Sequence, residues 1–480
     1  MRIIPRPSEG EDLFWAAKFD EVLGSKSHPV IMALSATYAK MDASPFLDAL
    51  SPSWRAFILA LGRVYGNHPD ADLLLAEVDA SEHPFLSVMV PYCYGLLDWR
   101  AGIVSRDCVA KYGMDMGTDF GRAMATELQS WHSQLAEDFP SHLQGLFDSC
   151  VAFAGCDPPA TYWASKTLSL VLNLGAEMAN HKIVTKMIPM ADAFPWTKHQ
   201  EHNRFDALLG MSLWYLLTGC TDEAIKYARH AKVRSVPRCC TAHAMLWTAS
   251  IATYNEYHIW ATDQIQTASE IYDVRGGGDC PDARSVTLSL ALFFTGVDTA
   301  KAREYIAEFH LSHASPLSAT SHDSRLNALA DVTLSRIASM NGEFDLAHEL
   351  AAKAYDTLFR YGHIYRAAQA STALAIASRG CEATKWFVRA EELLKKYSAS
   401  SDVLRYTSNL HHHPSVRITE RETEVLRAVQ EGLTNREIGS RLSFSVKTIE
   451  CVVSSLLHKY DVHNRQGLVQ KTVSNGYRKM

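Results

Sequence analysis

No apolar run in this 480-residue chain is long enough to span a bilayer. The richest stretch, Pro84–Trp99, is broken by Ser87, Pro91 and Asp98, well short of the ~20 residues a spanning helix needs. The first twelve residues carry Glu9, Glu11 and Asp12 and lack the apolar h-region of a secretory signal. No membrane association and a cytoplasmic location are therefore expected. Ten cysteines are present, but none forms a Cys-x-x-Cys pair and none neighbours a paired histidine, so neither a zinc site nor a disulfide framework is indicated. Reduced, buried thiols are the expectation. Strand signals are equally scarce: there is no series of β-branched alternating runs punctuated by Asn-Gly or Asp-Gly turns.

Catalytic motifs are missing as well. Gly24-Ser-Lys26-Ser27 superficially suggests a phosphate loop, but Ser25 splits the Gly-Lys pair and no glycine stands five residues earlier to let backbone N–H groups cradle phosphate. Gly276-Gly-Gly278-Asp279 lacks the strand–turn–helix context of a dinucleotide site and reads as an inter-helix loop. Neither His-Glu-x-x-His nor Gly-x-Ser-x-Gly occurs, and strands do not alternate with helices as a phosphoacceptor receiver requires. The run His411-His-His413 lies beside Pro414 in what reads as a solvated linker. No enzyme, no cofactor and no metal site is expected.

What the chain does have is core and asymmetry of charge. Apolar residues make up 47% and charged residues 21%, a globular composition with length for two to four domains at ~100–200 residues each. The net charge is −6. From Ser415 onward eleven Lys and Arg face seven Asp and Glu, a net +4, which leaves −10 on the first 414 residues. A small basic end on an acidic body is the balance expected where one module meets a polyanion.

The body reads as helix nearly throughout. Leu326, Ala330, Leu334 and Ile337 form one stripe, a turn follows at Met340-Asn-Gly342-Glu, and Ala347, Leu350, Ala351, Ala354 and Leu358 form a second, the pattern of an αα-hairpin. The unit recurs: Gly219 follows the helical run Phe205–Leu217 and precedes Ala224 and Ala228 at the offsets by which Gly342 precedes Ala347 and Ala351. Further turns are expected near Asn255, Gly296 and Gly380. Repeats of this size mean stacked helix pairs, with alanine letting two backbones approach closely. The pattern resembles degenerate tetratricopeptide repeats (TPR) over residues 161–397. Residues 1–160 are helix-leaning but are not registered to the repeat. The tryptophans at 99, 131, 163, 196, 214, 247, 260 and 386 are expected mainly in the core.

A linker is expected over 398–414 and a separate module over 415–480. Thr419-Glu-Arg-Glu422 reads as a capping box opening a first helix with Val425, Leu426 and Val429 inward, and Gly432 stops it. Thr434-Asn-Arg-Glu437 is a second capping box, opening a short helix with Ile438 and Leu442 inward. Ser443-Phe444-Ser445 turns the chain, and Ser445 caps a third helix, Val446–Tyr460. On a wheel of ~100° per residue, Ile449, Val453, Leu456 and Tyr460 face the core. Lys447, Cys451, Ser454 and His458 face the other way, flanked by Glu450 and Ser455. A row of small and polar side chains with a lysine at a capped N-terminus suits a helix entering the major groove: Glu450 can accept from a cytosine amino group, and Cys451 offers an apolar contact to a thymine methyl.

In this arrangement Ile418-Thr-Glu-Arg-Glu422, Val425-Leu426, Glu431-Gly-Leu-Thr-Asn435-Arg-Glu-Ile438, Arg441-Leu442, Ser445-Val-Lys-Thr-Ile449-Glu450 and Lys459-Tyr-Asp-Val462-His-Asn-Arg465 closely resemble the LuxR-type helix-turn-helix. The resemblance implies a small four-helix DNA-binding domain of a bacterial transcriptional regulator, its fourth helix at about Arg465–Asn475 supporting a homodimer on a two-fold-related site. It implies phosphate contacts from Lys447 and Thr448 and from Thr434, Asn435 and Arg436, with Glu450, Cys451 and Ser454 at base-facing positions and His458 further along the same face. Val452 stands where relatives usually carry histidine, Asp461 where they carry glycine, and Glu450 where they often carry lysine.

The sequence thus predicts an all-α protein: a TPR-like helical-repeat solenoid body followed by a LuxR-type domain. The expected partners are double-stranded promoter DNA, an unidentified small-molecule, peptide or protein effector on the body, and RNA polymerase as a further candidate. The alternative is a protein- or peptide-binding scaffold with only an auxiliary DNA module.

Overall fold

A computed structural model describes residues 3, 9–65, 68, 70–105, 107–231, 269, 283–295, 298–311, 324–378, 381–397, 420–442, 444–459 and 464–474. Among these residues the only regular structure is helical. The first fourteen helices are α1 (Glu9–Trp15), α2 (Phe19–Leu23), α3 (Pro29–Tyr38), α4 (Ser44–Leu47), α5 (Pro52–Tyr65), α6 (Ala71–Leu75), α7 (Pro84–Arg100), α8 (Cys108–Tyr112), α9 (Asp119–Leu135), α10 (Phe139–Ala154), α11 (Thr161–Glu177), α12 (His181–Ala193), α13 (Glu201–Leu217) and α14 (Thr221–Ala231). Then come α15 (Ala283–Phe294), α16 (Thr299–Leu311), α17 (Ser324–Asn341), α18 (Phe344–Arg360), α19 (Ile364–Ala377), α20 (Cys381–Leu394), α21 (Glu420–Gln430), α22 (Asn435–Leu442), α23 (Val446–Lys459) and α24 (Arg465–Ser474). The expected turns at Asn255, Gly296 and Gly380, the Gly276–Asp279 loop and the linker 398–414 lie outside the described residues.

Two large cores divide the body. The first is aromatic and draws on α1 to α11. Trp163, from α11, is buried at its centre, with ring centroids of Phe120, Tyr38 and Trp15 at 5.0, 5.2 and 5.8 Å. The second is aliphatic and runs from α10 to the Tyr397 turn. Helices α10 and α11 feed both cores, so the two meet across a shared pair. Trp163 and Trp214 are buried, Trp99, Trp131, Trp196 and Trp386 are partly so, and Trp247 and Trp260 lie outside the described residues.

Short polar caps start these helices. Thr118 Oγ1 accepts from Gly121 N at 3.0 Å, Asp138 Oδ1 from Ser141 N at 3.1 Å, and Asn180 Oδ1 from Ile183 N at 3.1 Å, each satisfying an N–H that the helix leaves unpaired. Left-handed residues end them. Gly219 (φ +85°) and Gly342 (φ +81°) stand at the two turns expected from the sequence, and Glu137 and Ala179 do the same work with side chains, at φ +63° and +56°. At Gly219 the two bonds of the αL cap are Gly219 N to Leu216 O (3.1 Å) and Cys220 N to Tyr215 O (2.8 Å).

Three hairpins share one clasp. Ser130 of α9, Ser212 of α13 and Ser335 of α17 each donate a hydroxyl to the carbonyl twelve residues on: His142 O at 3.3 Å, Ala224 O at 2.8 Å and Ala347 O at 2.7 Å. Such bonds require the facing backbone to lie close, and Ala224, Ala228, Ala347 and Ala351 are all wholly buried. The alanines after Gly219 and Gly342 thus lie where a facing backbone passes, and the α9–α10 pair makes the same serine-to-carbonyl bond although its turn has no glycine.

Elements remote in sequence are tied through one carboxylate. Glu177, at the end of α11, is buried. Its Oε2 meets Arg325 Nη1 of α17 at 3.1 Å and His363 Nδ1 at 3.3 Å; its Oε1 accepts from Arg366 Nε of α19 at 3.0 Å. Its backbone carbonyl accepts the Tyr397 hydroxyl at 2.7 Å. Burial alone would push this carboxyl up; Arg325, Arg366 and His363 hold it well below the usual range instead.

The described cysteines depart from the expected pattern in part. Cys93, Cys108, Cys150 and Cys156 are buried thiols, whereas Cys220, Cys381 and Cys451 are exposed; all seven are free. Burial pushes Cys93 and Cys150 up to about 12, which keeps them protonated.

Two outcomes follow for stability. Glu177→Gln leaves two guanidiniums without their carboxylate and should cost about 3–5 kcal/mol, read as a lower urea midpoint. Because the folded carboxyl titrates below its unfolded value, its contribution is complete above the ordinary carboxylate range and lost as pH falls through the lowered value. The gap between wild type and Glu177→Gln should therefore close under acid. Ser335→Ala should cost about 1 kcal/mol for the lost clasp, and Ala347→Leu more, about 1–3 kcal/mol, by overpacking.

Candidate nucleic-acid interface

Helices α21 to α24 close around their own core of Val425, Leu426, Ala428, Val429, Ile438, Ile449, Val453, Leu456 and Leu468. The first capping box begins at Thr419, outside the described residues. Gly432 (φ +85°) ends α21, with Gly432 N on Val429 O and Leu433 N on Ala428 O, both at 3.1 Å.

The second capping box is reciprocal. Glu437 N donates to Thr434 Oγ1 at 3.3 Å, and Glu437 Oε2 accepts from Thr434 N and from the Thr434 hydroxyl, both at 2.7 Å. These bonds, the backbone one foremost, hold the Glu437 carboxyl below its ordinary value. Thr434 and Arg436 are exposed at this helix start. Asn435 is half-buried, and its Oδ1 accepts from Arg465 Nη1 at 2.9 Å while Arg465 Nη2 donates to Leu433 O. The structure thus places one Asn435 oxygen against α24. Arg465 belongs to the quoted family pattern, yet its task of pinning α24 to the start of α22 has no local signal in sequence.

A tight turn joins α22 to α23. Phe444 N donates to Gly439 O at 2.9 Å, and a Cβ on Gly439 would stand 2.7 Å from the Phe444 carbonyl oxygen. Only glycine fits there. Sequence reading missed this residue, although a glycine inside a helix costs ~1 kcal/mol against alanine and so marks a position with a packing reason.

Ser445 caps α23 as expected: Thr448 N donates to its Oγ at 3.1 Å. The Thr448 hydroxyl, half-buried, also meets that Oγ at 2.7 Å. Ile449, Val453 and Leu456 are buried, while Lys447, Glu450, Cys451 and Ser454 are exposed, which is the division that the wheel gives. Val446 is exposed on this helix start too. Val452 packs partly against the core. The His458 and Ser455 side chains and residues 460–463 lie outside the described set. At α24, Asn464 Oδ1 accepts from Gly467 N at 2.7 Å. The surface offers two capped helix starts, which favour anions, and the exposed side chains of Lys447, Glu450, Cys451 and Ser454 along α23. No group of three or more His, Cys, Asp or Glu able to hold a metal occurs among the described residues, and no helix there is long and apolar enough to cross a membrane.

Residues 416–472 match the family described as bacterial regulatory proteins, luxR family, so the chain carries a LuxR-type helix-turn-helix domain at this position. The probable transcriptional regulator ycf29 of Pyropia yezoensis is 40% identical over 86 residues, 18% of this chain and 37% of that protein. Transcriptional regulatory protein DegU of Brevibacillus brevis is 40% identical over 63 residues, 13% and 27% of the two chains. Transcriptional regulatory protein LiaR of Bacillus subtilis is 30% identical over 100 residues, 21% and 43%. The chain spans less than half the length of these relatives.

Gly439→Ala should cost about 1–3 kcal/mol, since backbone must move to admit the methyl. Amide exchange in the full chain should quicken at Ile438 and Ile449 while that of Leu168 and Leu172 stays unchanged.

Proposed function

We propose that the protein is a cytoplasmic transcriptional regulator whose residues 415–480 bind promoter DNA and whose body senses an effector. The observation that carries the reading is the exposed row Lys447, Glu450, Cys451 and Ser454 on a capped helix within the residues that match the luxR family. Lys447 and Thr448 at the start of α23, with Thr434, Asn435 and Arg436 at the start of α22, meet phosphates. Glu450, Cys451, Ser454 and His458 read base edges in the major groove. The fourth helix supports a homodimer on a two-fold-related site, and RNA polymerase is a candidate contact of the bound complex.

In this reading, residues 1–160 are a helical region without an assigned role, 161–397 a TPR-like solenoid, and 398–414 a linker. The shared serine clasps and the packing of α17 against both α18 and α19 support repeated helix pairs. The charge split of −10 against +4 favours a restrained state in which the body masks the DNA-binding helices until an effector shifts the balance.

The test is selection of genomic DNA fragments by the full chain at two salt concentrations, followed by binding titrations. Lys447→Ala should weaken binding evenly across sequences and lower the salt slope by about one. Cys451→Val and Ser454→Ala should change sequence preference by about 1–3 kcal/mol per affected base pair. Enrichment of salt-labile background alone would overturn the reading in favour of a helical scaffold with an auxiliary DNA module.

A further inference from the structure

Helices from α9 to α19 line a pocket of about 290 Å³ in the body, roughly twice the ~150 Å³ apolar cavity that takes up benzene. One part of its wall is aliphatic, with Leu170 and Leu174 from α11, Leu209 and Leu213 from α13, Leu292 from α15 and Leu329 from α17. Another part is made of rings. Phe139 stands 4.8 Å from His363 and Trp131 stands 5.3 Å from His142, centroid to centroid, and all four line the pocket.

Charge in this wall is balanced. Its carboxylates are Glu177 and Asp206, and its guanidiniums are Arg325 and Arg366. Glu177 is bonded to both arginines, at 3.1 and 3.0 Å, and Asp206 lies 3.5 Å from His202 Nε2. His142 is lowered to about 4 by burial and stays neutral at neutral pH. An ion entering here gives up its hydration and meets no excess of opposite charge, so the pocket favours an uncharged occupant.

The same wall holds two polar atoms that are buried without a hydrogen-bond partner among the described residues, Gln134 Oε1 and His363 Nε2. The other ring nitrogen of His363, Nδ1, faces Glu177 at 3.3 Å. A buried acceptor left unpaired is unfavourable, and a donor brought by a ligand recovers the loss. Gln134 stands three residues after Trp131 on α9, so the two share one helix face and the acceptor belongs to the ring-lined part. Flat molecules pack well against such rings, edge to face or offset.

We propose that this pocket binds a small uncharged molecule of one or two aromatic rings that carries a hydroxyl, the hydroxyl donating to Gln134 Oε1 and the rings packed among Phe139, Trp131 and the leucines. Its role as an effector rests on the reading of the body as the sensing part of a regulator. Glu177 itself lines the pocket, and its backbone carbonyl accepts the Tyr397 hydroxyl at 2.7 Å, so an occupant lies against the residue that anchors this end of the body.

The experiment titrates the full chain with 2-naphthol and with 2-methoxynaphthalene, a similar shape without a donor. The charged controls are 2-naphthoate and 2-naphthylmethylammonium, and the readouts are calorimetry and thermal shift. Naphthol should bind saturably and raise the melting temperature. Its methyl ether should bind about fivefold more weakly, the factor that one neutral hydrogen bond supplies, and neither ion should bind measurably. Gln134→Leu should bring the ratio of the two affinities to about one, with the ether reporting that the pocket is intact. Leu329→Trp, which fills the aliphatic part, should weaken both. An ion bound as tightly as naphthol, a naphthol preference that survives Gln134→Leu, full binding by Leu329→Trp, or no binding of naphthol to the wild type would overturn the site. Overturned in protein that still selects its DNA, the site falls alone and the regulator reading stands. Naphthol binding in protein that selects no DNA keeps the site and removes the regulator.

Discussion

One buried carboxylate, Glu177, joins parts of the body that are far apart in sequence. Glu177 ends α11, but its two oxygens and its backbone carbonyl reach α17, α19 and Tyr397, so segments separated by more than two hundred residues converge on one ion. A carboxylate out of water is tolerated only when its charge and lone pairs are met, and the two guanidiniums and the imidazole are what meet it. The aliphatic core that surrounds this point supplies the bulk of the favourable burial, while the ion fixes which helix lies beside which.

The helical class and the hairpin rule were legible because they are local. Ala224, Ala228, Ala347 and Ala351 announce themselves by equal offsets from Gly219 and Gly342, and each is buried where a second backbone passes. The same hairpin before Phe139 stayed hidden because Glu137, not glycine, takes the left-handed turn; a pattern keyed to glycine does not find a fold that pays the strain elsewhere. Glu177 was illegible for another reason. Its partners lie 148 and 189 residues away, and nothing in a single sequence marks an acid and two arginines as neighbours at that range.

In the small C-terminal domain the balance shifts toward legibility. Caps, stops and apolar faces all act within a few residues, so the reading of Gly432, Thr434 and Ser445 and the inward set Ile438, Ile449, Val453 and Leu456 agrees with the structure. Gly439 and Arg465 escaped because each answers to a different helix: one leaves room for the Phe444 carbonyl, the other spans from α24 to the start of α22. Three short helices present a surface only if those two cross-ties hold their angles, and the exposed residues of α23 inherit their positions from them.

The hydroxyl of Tyr397 anchors the chain immediately before residue 398, and α21 begins at Glu420. The intervening covalent path caps the separation of anchor and domain at roughly 75 Å, about 3.3–3.6 Å for each residue. Within that radius the domain is held at high effective concentration near any acidic surface of its own body, and a self-contact far too weak to persist between separate molecules suffices to occupy it. Releasing the Tyr397 anchor would lengthen the leash and so lower the effective concentration of the domain at the body surface.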